Sequence, residues 1–146
     1  MYQKQYEFIE KSVKKLSFEK SLKFVCDYLQ KNINGYDWVG FYFHNEERLI
    51  LKTYTGLKTD HTIIPFGKGI CGQTAQSNNP IIVKDVNKEN NYLSCNINVK
   101  SEIVVPLFKD KKNIGQIDID SNTLNRFNNE DLNFLKKINS LLSKKI

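Results

Sequence analysis

"IGQIDIDS", residues 114–121, alternates as only an extended strand does: Ile117 and Ile119 take one face, and Gln116, Asp118 and Asp120 take the other. The isoleucine face belongs to a core. Two carboxylates on the opposite face of such a strand either meet solvent or line a polar pocket. "YDWVGFYF" (36–43) repeats the pattern, with Val39, Phe41 and Phe43 on one side and Trp38, Gly40 and Tyr42 on the other. The missing side chain at Gly40 predicts a slot between two aromatic rings, suited to a small ligand with an apolar tail and a cationic amine. In "SEIVVPLF" (101–108), Ile103, Val105 and Leu107 face the core while Glu102 shares the opposite face with Val104. That carboxylate is expected near the strand's exposed end or in a hydrogen bond, because burying it unpaired is costly.

The rest of the chain arranges itself around these strands. "RLILKTYT" (48–55) is the hairpin partner of the first strand through the turn "NEE", and "KDKKN" turns the chain from 101–108 into 114–121. "ICGQTAQS" reads as a short helix, Pro80 opens a strand "PIIVKDV", and the segments 56–69 and 87–101 read as loops. A helix over 2–15 carries Ile9 and Val13 on one stripe. Ser17 caps a second helix whose buried face is Leu22, Val25, Cys26, Leu29 and Ile33. Asn129 is expected to cap a last helix, 130–145, striped by Leu132, Leu135, Ile138, Leu141 and Leu142. Short turns between strands predict an α+β layer fold, a mainly antiparallel sheet with helices against it. With no βαβ series and no phosphate-binding glycine turn, a Rossmann fold is disfavoured.

Composition narrows the function. The 146 residues are 40% apolar and 12% aromatic, enough for a single domain with its own core. No apolar run approaches the ~20 residues of a membrane span, and "MYQKQYEFIEKSVKK" has charges where a signal peptide needs its apolar centre, so a cytoplasmic protein is expected. The net charge of +6 is almost all lysine, with Arg48 and Arg126 the only arginines, and it is spread along every predicted helix. This is a solvated surface and not a nucleic-acid footprint.

Three irregularly spaced cysteines, Cys26, Cys71 and Cys95, do not form a secreted disulfide framework. Cys26 sits on an apolar stripe as a core residue. "FGKGICG" (66–72) lacks phosphate-loop spacing; its glycines fit a tight turn into a helix. That puts Cys71 in a first helical turn, either as a thiolate favoured by exposed amides or as a small residue packed beneath the turn. His61, Cys71 and Cys95 have no Cys-x-x-Cys pair among them, so no metal site is expected, and His44 reads as a solvated turn residue. Neither histidine has a context that positions a serine nucleophile. Cys95 lies in a polar loop seven residues before Glu102.

Taken together, "DWVGFYF", "IPFGKGICGQTA", "VKDV", "SEIVVPLF", "IGQIDIDS" and "RFNNEDLNFL" occur in the order seen in small single-domain GAF proteins, from about Trp38 to Leu135. Among these the chain most closely resembles the free methionine-(R)-sulfoxide reductases. The resemblance implies a six-stranded antiparallel sheet with the N- and C-terminal helices on one face and a loop-covered pocket on the other. It also implies that Cys95 is the catalytic thiol, with Cys71 a second cysteine before the short helix. Glu102, Asp118 and Asp120 would hold substrate and assist protonation, and Trp38 would contact the methylsulfinyl end, with Tyr42 beside it. The implied chemistry is attack of Cys95 on the sulfoxide sulfur, a sulfenic acid, then a disulfide reduced by thioredoxin or another external thiol, with no cofactor. A homodimer through the terminal helices is implied in the same way.

Two positions depart from the family pattern. A further cysteine usually stands ten residues before the "ICG" cysteine, and here that residue is His61. The loop that typically reads Gly-His-Ile-Ala-Cys-Asp is Asn-Tyr-Leu-Ser-Cys-Asn at 91–96. Turnover then calls for Cys71 as the resolving thiol or for an external thiol acting directly. The alternative is a non-catalytic GAF module that senses a small ligand or redox state through Cys95.

Overall fold

The computed structural model describes residues 1–89, 92 and 98–146. The chain runs α1 (Gln3–Val13), α2 (Phe18–Asn32), β1 (Trp38–Asn45), β2 (Arg48–Thr55), β3 (Ile63–Pro65), α3 (Gly69–Ser77), β4 (Ile81–Val83), a 3-10 turn (Val86–Lys88), β5 (Ser101–Lys109), β6 (Lys112–Ser121) and α4 (Asn129–Ser143). The strands form one sheet in the order β3-β2-β1-β6-β5-β4, and every neighbouring pair is antiparallel. The α+β expectation of about six strands holds.

Side-chain parity divides the molecule into two cores. Val39, Phe41, Ile103, Val105, Leu107, Ile117 and Ile119 pack against Ile9, Val13, Leu22, Val25, Cys26, Leu29, Leu135 and Ile138 of α1, α2 and α4. Each fully buried Ile or Leu there contributes roughly 1.5–3 kcal/mol. The opposite face carries Trp38, Tyr42, Leu49 and Val104 beneath Ile70, Cys71 and Ala75 of α3. A slip of one residue in β6 would exchange its isoleucines for carboxylates in the large core, which fixes the register.

Local signals explain most boundaries. Ser17 accepts from Lys20 N at 3.2 Å to start α2. The last helix is capped one residue earlier than expected, by Asn128 and not Asn129: Asn128 accepts from Glu130 N and Asp131 N, while the Asp131 side chain accepts from Asn128 N. The reciprocal bond requires an acid at the third helical position, and Asp131 supplies it. The strand after Pro80 stops at Val83, because the Asp85 side chain caps the 3-10 turn. Pro106 is tolerated inside β5 because β4 pairs only with residues 102–104, leaving that edge open, and Asn139 of α4 donates to the Val105 and Pro106 carbonyls at 3.1 and 3.0 Å.

Candidate functional site

The site grows out of one cross-strand row. β5 and β6 pair Glu102 with Asp120, and β6 and β1 pair Asp120 with Trp38; in the next row Val104 meets Asp118, which meets Gly40. Even-numbered residues of all three strands therefore face α3. Glu102, Asp118 and Asp120 are 5%, 2% and 1% exposed, so the carboxylates are neither solvated nor at a free end. Glu102 hydrogen-bonds the carboxyls of both aspartates. Each bond between carboxyls needs a proton, and both aspartates hold theirs above the usual carboxylate range. Burial raises Asp118, with its bonds to Glu102 and Cys71 opposing; burial and then the Asp118 charge push Asp120 well up.

This has a stability consequence. Both aspartates bind protons more tightly folded than unfolded, so their contribution is complete below the ordinary 3.8 and is lost as pH rises through the elevated folded values. Asp120→Asn is expected to raise the urea midpoint at neutral pH and flatten its decline above about pH 4. A midpoint–pH profile parallel to that of the unaltered protein would contradict the assignment.

α3 brings the thiol. It begins tightly against the strand connection: Gly67 N donates to Gly72 O at 2.8 Å, and a Cβ on Gly72 would sit 2.7 Å from Pro65 O. Cys71 thereby reaches the trio, where its Sγ and carboxylate oxygens of Glu102 and Asp118 lie within 4.8 Å of one another. Gln116 Nε2 donates to Cys71 O at 3.2 Å, tying the helix start to β6. Burial comes first among the causes that push this thiol well above 9.0, followed by the Asp118 and Glu102 charges, and the S–H donates to Asp118. The helix end is outweighed, and the thiolate alternative for Cys71 is corrected to a protonated thiol.

The aromatic slot is also corrected. The Trp38 ring folds over Gly40, so its own edge fills the space that a Cβ would need. The ring stacks on Tyr54 of β2 at 5.4 Å between centroids, and Nε1 donates to Leu57 O at 3.0 Å. Neither Tyr54 nor Leu57 was legible as a support, since both depend on strand pairing. Tyr42 OH donates to His61 O at 2.8 Å. His61, Lys68, Cys71, Tyr42, Glu102 and Asp118 stand in the wall of one narrow cavity beneath the 61–70 segment. His44 lies in β1 and not in a turn, its ring edge-on to Phe66 at 4.8 Å; burial and then Lys112 lower its pKa. Cys95 lies outside the described residues.

The chain matches a family model described as GAF domain over residues 15–144. It is 41% identical over 112 residues to a free methionine-R-sulfoxide reductase of Saccharomyces cerevisiae, covering 74% of this chain but only 62% of that protein. A free methionine-R-sulfoxide reductase of Escherichia coli is 32% identical over 128 residues, 88% of this chain and 77% of that one. The structure of free methionine-R-sulfoxide reductase from Neisseria meningitidis in complex with its substrate superposes with a TM-score of 0.93 at 32% identity, over 99% of this chain and 87% of that chain. No helix among the described residues is long and apolar enough to cross a membrane.

Proposed function

Because the chain belongs to the GAF domain family, we propose that it reduces free methionine-R-sulfoxide to methionine, with Cys95 as the nucleophile. The observation that carries this reading is the buried trio in which Glu102 hydrogen-bonds both Asp118 and Asp120. A sulfoxide oxygen needs protons to depart, and Asp118 and Asp120, whose carboxyls burial makes harder to ionise, are the groups placed to supply them.

In the first step the Cys95 thiolate attacks the sulfoxide sulfur while Asp118 or Asp120 gives its proton to the oxygen. The substrate sulfur gains two electrons and leaves as the thioether of methionine. The oxygen ends on Cys95 as a sulfenic acid, so Cys95 carries the two-electron oxidation. In the second step a thiol attacks that sulfur, a disulfide forms and water leaves. Cys71 suits this role through a proton relay: once Asp118 has given its proton to substrate it is ionised, and it already accepts from the Cys71 S–H. An external dithiol such as thioredoxin then returns both cysteines to thiols.

His61 at the position of the family's usual resolving cysteine favours a second reading, a non-catalytic module that binds a small ligand or registers oxidation of Cys95. An epimer assay separates the two. With dithiothreitol as reductant, the purified protein is expected to consume the R epimer of free methionine sulfoxide and to leave the S epimer and peptide-bound sulfoxide untouched. Consumption of neither epimer would leave only the binding module.

A further inference from the structure

We propose that Cys71 Sγ and the carboxylates of Glu102 and Asp118 form a binding site for a thiophilic divalent cation, Zn2+ above all, at the base of the cavity. Sequence spacing gives no expectation of such a site, since its three residues come from α3, β5 and β6. The three ligand atoms lie within 4.8 Å of one another. Small side-chain rotations bring them to the ~2.0–2.3 Å bonds of a four-coordinate zinc.

An independent observation points to a ligand there. Asp118 Oδ1 is buried without a hydrogen-bond partner among the described residues, and so is Asp120 Oδ1 beside it. No lysine or arginine ion-pairs with either aspartate among these residues. Desolvated carboxylate oxygens in that position gain most from a compact positive charge. A thiol among the donors selects for zinc over magnesium or calcium, which prefer oxygen alone.

The surroundings complete the site. Asp120, hydrogen-bonded to Glu102, orients that ligand from behind, and Gln116 holds the Cys71 backbone. His61 stands in the same cavity wall, outside the three-atom set, so the fourth position is left for water or an exchangeable ligand. Binding displaces the Cys71 proton and those shared among the carboxyls into solvent, with no change of oxidation state. The cation would occupy the space proposed for the sulfoxide oxygen, yet the site stands whether or not the reductase reading holds.

Co2+ is the probe. The reduced protein is expected to take up one equivalent and develop a near-ultraviolet thiolate-to-cobalt charge-transfer band, which stoichiometric Zn2+ removes and about tenfold excess Mg2+ does not. The band survives in Cys95→Ser and is lost in Cys71→Ser. In Glu102→Gln, which keeps a hydrogen-bonding side chain, Co2+ affinity falls by at least ~10-fold. Circular dichroism checks the fold of each variant, and if Cys71→Ser fails to fold, Glu102→Gln and the Mg2+ competition decide. Absence of the band, its persistence in Cys71→Ser, its loss in Cys95→Ser, or displacement by Mg2+ each overturns the proposal.

Discussion

Cys95→Ser is expected to lower kcat/KM for free methionine-R-sulfoxide by at least ~10^3-fold, because a serine hydroxyl cannot take oxygen from sulfur as a thiolate does. The carboxyl trio would still bind the substrate, so the loss falls on the chemical step. Cys71→Ser is the informative contrast. If Cys71 resolves the sulfenic acid, that variant still releases the first methionine from each chain and fails afterwards, when thioredoxin must find a disulfide. Steady-state rates for both variants, with thioredoxin and with dithiothreitol, check the division of labour. A Cys95→Ser enzyme with undiminished turnover would end the nucleophile assignment.

Asp131→Ala is expected to have the largest effect on stability, a loss of about 2–4 kcal/mol, because it leaves the buried Tyr36 hydroxyl, the partly buried Arg126 guanidinium and the capped start of α4 without their shared acceptor. Asp131 is 1% exposed. It accepts from Tyr2 OH at 2.8 Å and Tyr36 OH at 2.7 Å, and it pairs with Arg126 at 3.3 Å. Arg126 in turn donates to Asn34 O at 2.9 and 2.8 Å, and its guanidinium lies 5.1 Å from the centre of the Tyr36 ring. One carboxylate thus clamps the chain before α1, the end of α2, the approach to β1 and the start of α4. The urea midpoint measures the loss, and a change below about 1 kcal/mol would contradict the clamp. Asp131 lies in the large core's periphery, across the sheet from Cys71, so activity per folded molecule should be unchanged.

Strand parity was the most legible part of the chain. The alternation of Ile117 and Ile119 with Asp118 and Asp120 identified both faces of β6, and the same rule sorted β1 and β5, because a half-buried sheet imposes a period of two whatever its partners. β3 was not legible: Ile63–Pro65 is three residues long, ends in proline and exists only through pairing with β2. Tertiary proximity was harder still. Sequence placed Glu102 at a strand's start and allowed it a hydrogen bond, but only the register of β5 on β6 names Asp118 and Asp120 as its partners.

The two corrections at the site share a physical origin. Cys71 was read either as a thiolate favoured by helix-end amides or as a small residue packed beneath the turn; its burial fits the second, and acids from two distant strands add to it. The slot at Gly40 was read from the backbone, while its contents depend on Trp38 turning back over the glycine to reach Tyr54 and Leu57. Local rules describe where a side chain starts. Which groups surround its end is a property of the assembled sheet.

The most direct test of the account is a single turnover without reductant. Fully reduced protein mixed with one equivalent of free methionine-R-sulfoxide should release one methionine per chain, and peptide mass spectrometry should find Cys95 oxidised, as a sulfenic acid trapped by dimedone or as a disulfide with Cys71. Methionine released while Cys95 remains a free thiol, or no methionine released at all, would contradict it.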